Sequence, residues 1–305
     1  MIKSKLYSQL TCVFIYIFAF WLSYFLIINL SWTSNLIQRQ LEVDINILWL
    51  LILIWHIYAT IIVYIFSVIL NNSSLYDPFW SVAPLPIAIY ISIYPESGEI
   101  DLEKIFLVNL PIIFWSIRLT SNWARDWRGL SDEDFRYVNL KSKPFSFFID
   151  LFGIHIYPTL QVNLSLVPIY FALSISVSEV NIYLYLASTF TFLAVVLETI
   201  ADEQMRIFRR SNNIGLTMQK GLWAYSRHPN YLGEILFWWG LYFMSLSLDL
   251  GLWYLFVCPL VMNLMFSLIT CQMMDNRSLE KRPDYQEYMN STRQLIIWKS
   301  VKKGE

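Results

Sequence analysis

The stretch Gly221-Leu222-Trp223-Ala224-Tyr225-Ser226-Arg227-His228-Pro229-Asn230-Tyr231-Leu232-Gly233-Glu234 runs from a polar loop straight into apolar sequence. Pro229 suits the first turn of a helix, where its missing N–H costs nothing. Arg227 and His228 then stand beside free backbone N–H groups at a positive helix end, which is a seat for a phosphate. Asn230 and Glu234 are four residues apart and share a face one turn inside the apolar run. A carboxylate there is expensive unless paired, so a functional role is its default reading; the bland alternative is a helix start anchored at the membrane interface by ordinary polar residues. Gly233 and Gly240 would let a neighbouring helix or a flat ligand come close.

Upstream, Glu198, Asp202, Arg206 and Arg209 recur at helical spacing and form one charged stripe. Two acids and two arginines suit a ribose and phosphates, and Arg210 and Lys220 add positive charge. The competing reading is a set of ion pairs along a solvated helix end. A second constellation is Leu75-Tyr76-Asp77-Pro78-Phe79-Trp80-Ser81-Val82-Ala83-Pro84, where an acid and two prolines interrupt apolar sequence. Backbone broken at membrane depth must be satisfied by protein or water, as in a cavity wall. Asp77 is therefore a site candidate, against the alternative of an Asp capping the helix that starts at Pro78. Arg118, at the end of the fourth apolar run, is placed either to meet Asp77 or to snorkel to head groups. His56, on the second run, reads as a satisfied core histidine. The charged tail from Asp275 to Tyr288 either folds over the mouth of the site or extends as a solvated helix.

The elements that must position these residues are membrane helices. Hydrophobic residues make up 56% of the 305-residue chain and charged residues only 15%, a balance rare in a soluble domain of this length. A helix crosses the bilayer core with about 20 apolar residues. Such runs fall near 9–30, 46–70, 80–94, 105–121, 148–176, 181–200, 230–248 and 251–273, the third short and the fifth interrupted by Pro158 and Pro168. The expectation is an all-α, multi-pass transmembrane bundle of about eight spans, within a range of seven to ten. Of 22 Lys and Arg, only Arg39 and Lys104 then fall on the outer side, so the positive-inside rule puts both termini in the cytoplasm. The first run is too long for a signal-peptide core and is read as a retained span. Cys12, Cys258 and Cys271 sit in apolar runs without paired spacing, which supports neither a disulfide framework nor a metal site. A net charge of −1 gives no sign of a nucleic-acid partner. No G-x-G-x-x-G, Walker or G-x-S-x-G motif occurs, which excludes a soluble dinucleotide-binding domain. A nucleotide pocket, if any, must be built by the helices and by the two long loops 122–147 and 201–229.

With those residues in view, Trp223 through Trp239, centred on Ser-Arg-His-Pro-Asn-Tyr-Leu-Gly-Glu, resembles the steroid 5-alpha-reductase C-terminal domain. More narrowly it resembles the branch of that superfamily known by its domain of unknown function, DUF1295. Asp77-Pro78-Phe79-Trp80-Ser81, Arg118-Leu119-Thr120-Ser121-Asn122-Trp123, Glu133-Asp134-Phe135-Arg136-Tyr137, Ala201-Asp202-Glu203-Gln204 and Met273 to Tyr288 also match. The resemblance covers about residues 75 to 298. It implies N-terminal helices over 1–74 and a catalytic transmembrane domain over 75–305.

The resemblance further implies an NADPH-dependent reductase of a carbon–carbon double bond conjugated to a ketone in a lipid or steroid-like molecule. In that chemistry a hydride reaches the β carbon while an acid polarises the carbonyl oxygen. Carried over, Asp202, Arg206, Arg209, Arg227, His228, Asn230, Tyr231 and Glu234 line the cofactor site, and Arg277 closes it from the tail. Asp77 and Arg118 fall on the catalytic side. The steroid enzymes place a tyrosine on the fourth span as the proton-sharing partner, whereas Trp115 stands at the matching position here; Tyr76 is the substitute. Two alternatives stay open, a membrane methyltransferase using S-adenosylmethionine, which shares the Arg-His-Pro string, and a lipid-binding protein without catalysis. The family implies the endoplasmic reticulum, or the inner membrane in a bacterium.

Overall fold

The computed structural model describes residues 2–29, 47–211, 213 and 215–296. The expected outer loop 31–45 with Arg39, and the tail beyond 296, lie outside the described residues. In lipid, an unpaired backbone N–H or C=O has no water to turn to, and a helix satisfies both within one segment. Every regular element among the described residues is accordingly a helix. In chain order these are α1 (Ile2–Asn29), α2 (Ile47–Ile69), α3 (Phe79–Val82), α4 (Pro84–Ile93), α5 (Leu102–Asp126), α6 (Phe135–Lys141), α7 (Ser146–Phe148), α8 (Tyr157–Tyr170), α9 (Ile182–Arg210), α10 (Pro229–Leu248), α11 (Val257–Met265), α12 (Cys271–Lys281) and α13 (Tyr285–Ser291), with 3-10 and π-helical turns between some of them.

Among the described residues, five helical stretches are long and apolar enough to cross a membrane: Lys5–Asn29, Leu48–Ile69, Ser146–Ile175, Ile182–Arg210 and Leu250–Lys281. They coincide with the first, second, fifth, sixth and eighth expected spans. The other three fall on α3–α4, on α5 and on α10. The fifth span departs from expectation in an informative way, because its prolines do not end it. Pro158 lies in the first turn of α8, and the chain relaxes into π-helical turns at Ile149–Ile156 and Phe171–Ile175 on either side. A wider turn absorbs the hydrogen bond that a proline cannot make.

The chain packs as two compact units. The first holds residues up to Ile100 together with Trp115–Ile175, and the second holds Asp101–Phe114 together with residues from Ser176 onward, so α5 begins in one and ends in the other. In the first unit, Ile15 and Ala19 of α1 meet Ala59 and Val63 of α2, and Leu75 and Phe79 close the same core. Polar ties pin α1 to the segment before Asp77 and to the end of α5. Tyr16 Oη donates to the Leu75 carbonyl at 2.5 Å, and the Gln9 amide donates to the Ala124 carbonyl at 2.6 Å.

In the second unit, α9 starts at Asn181, whose side chain accepts from the backbone N–H of Tyr183 and Leu184 at 3.0 and 3.1 Å. The helix then runs without a break through the charged stripe to Arg210, so about a third of the expected loop 201–229 belongs to this helix. Helix α10 lies directly against it. A Cβ on Gly233 would stand 2.6 Å from Glu198 Cβ, and one on Gly240 would stand 2.8 Å from Thr191 Cβ. The two glycines thus serve the approach of a helix. The cysteines Cys12, Cys258 and Cys271 are buried in their respective cores.

Candidate functional site

The charged stripe of α9 divides along its length. Glu198 is buried, Asp202 and Arg206 are half-buried, and Arg209 and Arg210 are exposed. Arg206 is paired within its own helix. Its Nε donates to Glu203 Oε2 at 2.6 Å, an i,i+3 ion pair on the same helix, so for this residue the bland reading describes the contact. Arg209 is left as the exposed cation of the stripe, with Lys220 exposed in the following loop.

Arg227 and His228 were expected beside free N–H groups, with the arginine turned to a phosphate. They meet a carboxylate of this chain instead. Asp275, on α12, accepts from Arg227 Nη2 at 2.9 Å and from His228 Nε2 at 2.8 Å, and from the Tyr285 hydroxyl as well. Arg227 Nη1 donates to the Thr292 carbonyl at 2.7 Å, and the backbone N–H of Arg227 and of His228 donate to the carbonyls of Arg293 and Gln294. A guanidinium that is largely out of water must be paired and hydrogen-bonded, and this one is. The tail is therefore docked and not solvated. Tyr285 and Tyr288 are buried, and Tyr288 Oη donates to the Trp223 carbonyl at 2.5 Å and to the Ser226 carbonyl at 3.1 Å. Burial, followed by the bond to Asp275, pushes the Tyr285 hydroxyl well above its ordinary pKa, which keeps it a donor.

Around this anchor, the ring of Tyr231 stacks on His228 with centroids 5.4 Å apart. Glu234, 2% exposed, accepts from Trp238 Nε1 at 2.8 Å one turn further along α10. Asn230 is half-buried, and its Oδ1 is a buried acceptor without a hydrogen-bond partner among the described residues. Arg277 is half-buried on α12, on the same helix as Asp275. The second unit thus gathers Arg227, His228, Tyr231 and Asp275 into one contact network. Sequence reasoning missed Asp275 as its hub. The signal was a carboxylate at the polar end of the last apolar run, within the quoted Met273 to Tyr288 match, but nothing local paired it with residues 47 and 48 positions earlier.

The first unit holds the other cluster. Asn72 caps the turn Ser73–Leu75, accepting from Ser74 N at 2.9 Å, and Asp77 follows this turn at a half-buried position. Asp77 does not cap α3, whose N-cap Pro78 has no side-chain bond. Its carboxylate accepts from the Tyr137 hydroxyl and lies 3.8 Å from Arg136 Nη2. Both partners come from α6, which Asp134 caps by accepting from Arg136 N at 2.8 Å. Burial pushes the Asp77 carboxyl up to about 6, although Arg136 and the Tyr137 hydrogen bond each pull it down. Arg136 and Tyr137 belong to a string quoted for the family resemblance without any role attached. Tyr76, the expected acid, is turned elsewhere. It is buried, and its hydroxyl is hydrogen-bonded to Thr159 Oγ1 at 2.7 Å. Arg118 is buried near the end of α5, and Trp115, fully buried, packs edge-on against Trp80.

Comparison with known proteins fits this arrangement of motifs. The family described as "Protein of unknown function (DUF1295)" matches residues 63–292, about three quarters of the chain. The chain belongs to this family. Apart from the Arg293 and Gln294 carbonyls, both clusters fall inside the DUF1295 region, while α1 lies ahead of it. A relative in Schizosaccharomyces pombe, described as an uncharacterized protein, is 27% identical over 202 residues. That match covers 58% of this chain and 58% of the yeast protein's length. No solved structure matches.

Proposed function

We propose that this DUF1295 protein is a membrane-embedded, NADPH-dependent reductase of a carbon–carbon double bond conjugated to a carbonyl in a lipid. The observation that carries the reading is Asp77. Its carboxyl is poised near pH 6, hydrogen-bonded to a tyrosine hydroxyl, within a family of the steroid 5-alpha-reductase-like branch. An acid at that level takes up and releases its proton close to neutrality, as a group that polarises a carbonyl must. The tyrosine sharing that proton is Tyr137, in place of Tyr76, the substitute offered from the family resemblance, because Tyr137 Oη donates directly to Asp77 Oδ1. Arg136 limits how far Asp77 rises and orients its carboxylate.

The second unit offers groups suited to the cofactor. Asn230 Oδ1 is an orphaned acceptor matching a carboxamide N–H, and Arg209 and Lys220 are exposed cations suited to phosphate. Glu198, Asp202, Glu234 and Arg277 complete the polar lining in this reading. Arg227 and His228 act as positioning residues, since Asp275 already holds them. When bound, NADPH supplies the hydride for the β carbon. The chain's own part is to hold the carbonyl oxygen against an acid and to keep the enolate charge from costing its full price in an apolar site.

The reading is tested by titrating purified protein in detergent and following its tryptophan fluorescence. NADPH is expected to quench it and S-adenosylmethionine is not, and Arg209→Ala is expected to weaken the NADPH response about tenfold or more. Quenching by S-adenosylmethionine instead would transfer the protein to the methyltransferase reading.

A further inference from the structure

Asp134 stands at the start of α6 and is tied to the turn that leads to Asp77. Its side chain caps the helix by accepting from the backbone N–H of Arg136 at 2.8 Å, and its own N–H donates to Ser74 Oγ at 2.8 Å. Its carbonyl accepts from the N–H of Tyr137 and of Val138 at 3.0 and 3.2 Å. A helix cap needs no more than this. Asp134 nevertheless also takes the guanidinium of Arg136 through two bonds, from Nε to Oδ1 at 2.8 Å and from Nη2 to Oδ2 at 3.1 Å. This is the fork that a planar guanidinium offers to a single carboxylate. The same Nη2 stops 3.8 Å from Asp77 Oδ1, beyond hydrogen-bond length.

One cation thus stands between two carboxylates and is bonded to one of them. Closed on Asp77 instead, the fork would favour the charged form of that carboxyl far more strongly than a guanidinium held off at 3.8 Å. The negative charge of Asp134 acts in the same sense, since a neighbouring carboxylate disfavours a second charge. The other groups facing Asp77 do not replace it. Tyr137 and Ser74 donate hydrogen bonds to the carboxylate, which favours its charged form. Tyr16 faces it from α1 with its hydroxyl committed to the Leu75 carbonyl.

We propose that Asp134 is a positioning residue for Asp77, one that occupies the fork of Arg136, keeps the guanidinium from pairing with Asp77, and so leaves Asp77 its proton. The inference rests on the reductase reading for its meaning in turnover, while its geometry lies wholly within the first unit. The infrared stretch of a protonated carboxyl is followed against pH on the full-length protein in detergent. Each form is recorded as the difference from its own Asp77→Asn variant, so that the proton on Asp77 is read. The wild-type midpoint is expected at about 6. Asp134→Asn keeps an oxygen for the cap but sets an amide N–H against Arg136 Nη2, donor against donor, which turns the guanidinium toward Asp77. It is expected to lower the midpoint by about one pH unit or more. Asp134→Ser, another uncharged capping residue, is expected to do the same and serves if the first variant does not fold. In an Arg136→Gln background the shift should shrink to less than half, because no guanidinium is left to release. A midpoint that stays or rises on loss of Asp134 overturns the proposal, as does a shift of equal size with and without Arg136, which is the mark of distant charge alone. No cofactor or substrate enters the titration, so its failure strikes Asp134 and leaves the reductase reading standing, whereas a failed reductase assay leaves the titration standing.

Discussion

Asp77 is the residue at which opposing effects can be weighed. Burial favours its neutral form, and Arg136 and Tyr137 favour the carboxylate; burial prevails, and the pKa settles at about 6 against an ordinary 3.8. Because the folded value lies above the unfolded one, the fold is stabilised by the protonated carboxyl below about pH 4. That contribution is lost as pH rises through 6. Asp77→Asn, which mimics the neutral acid, should therefore match the wild type in thermal midpoint near pH 4 and exceed it near pH 7, by up to about 3 kcal/mol. Tyr137→Phe removes a donor that favours the charged form, so the gap between Tyr137→Phe and its Asp77→Asn double variant should open at the same pH but keep growing to a higher pH and end larger. A gap that is constant across this range would mean that Asp77 is not poised at all. From sequence, Asp77 stood out as an acid just ahead of Pro78 in an otherwise apolar stretch, with a site residue and a helix cap both open to it. Its partners did not, since Tyr137 is 60 residues away and only the fold of the Ser73 turn against α6 brings the two together.

Elements were the best-read level. Hydropathy located each of the eight apolar runs on a helix, and the spacing of Glu198, Asp202, Arg206 and Arg209 foretold the continuation of α9 to Arg210. Where the reading fell short, tertiary pairing was the reason. The prolines of the fifth span promised a break, but π-helical turns carry the chain past them, and a register shift of that kind leaves no periodic signature. The close contact of α9 with α10 gives a direct check. Gly233→Ala and Gly240→Ala each drive a methyl group into Glu198, Ala194 or Thr191 and should cost about 1–3 kcal/mol, read as a lowered thermal midpoint in detergent. Gly153→Ala is the control, since its nearest neighbour would lie 3.9 Å away, and it should leave the midpoint unchanged or raise it. Equal behaviour of all three would remove the close packing from the account. At the same scale, Asp275→Ala leaves Arg227 and His228 without their shared anion, a loss of about 3–5 kcal/mol for a buried pair. The tail from Tyr285 to Thr292 should then loosen, and trypsin should cut after Lys281 and Arg293 faster than in the wild type. An unchanged digestion pattern would show that the tail is held by other contacts.

The whole molecule is a multi-pass membrane protein of the DUF1295 family, organised as two units, each with one polar cluster at the end of apolar helices. In the first, a tyrosine hydroxyl donates to an aspartate beside an arginine; in the second, an aspartate binds an arginine and a histidine. The helical class was legible in the apolar runs of about 20 residues, a length that fits a helix crossing the bilayer and not a strand of a barrel. The division into units was not, since it runs through the middle of α5, where nothing in the sequence changes character. The central claim is enone reduction, and isotope transfer tests it most directly. Purified protein in detergent is incubated with a total membrane lipid extract and NADPH deuterated at C4, on either face in separate samples, and the lipids are followed by mass spectrometry. The account predicts that one of the two samples yields a lipid that has lost a carbon–carbon double bond next to a carbonyl and gained one deuterium and one hydrogen, and that Asp77→Asn abolishes it. Deuterium reaching no lipid in either sample, with the wild-type protein folded and NADPH bound, would contradict it.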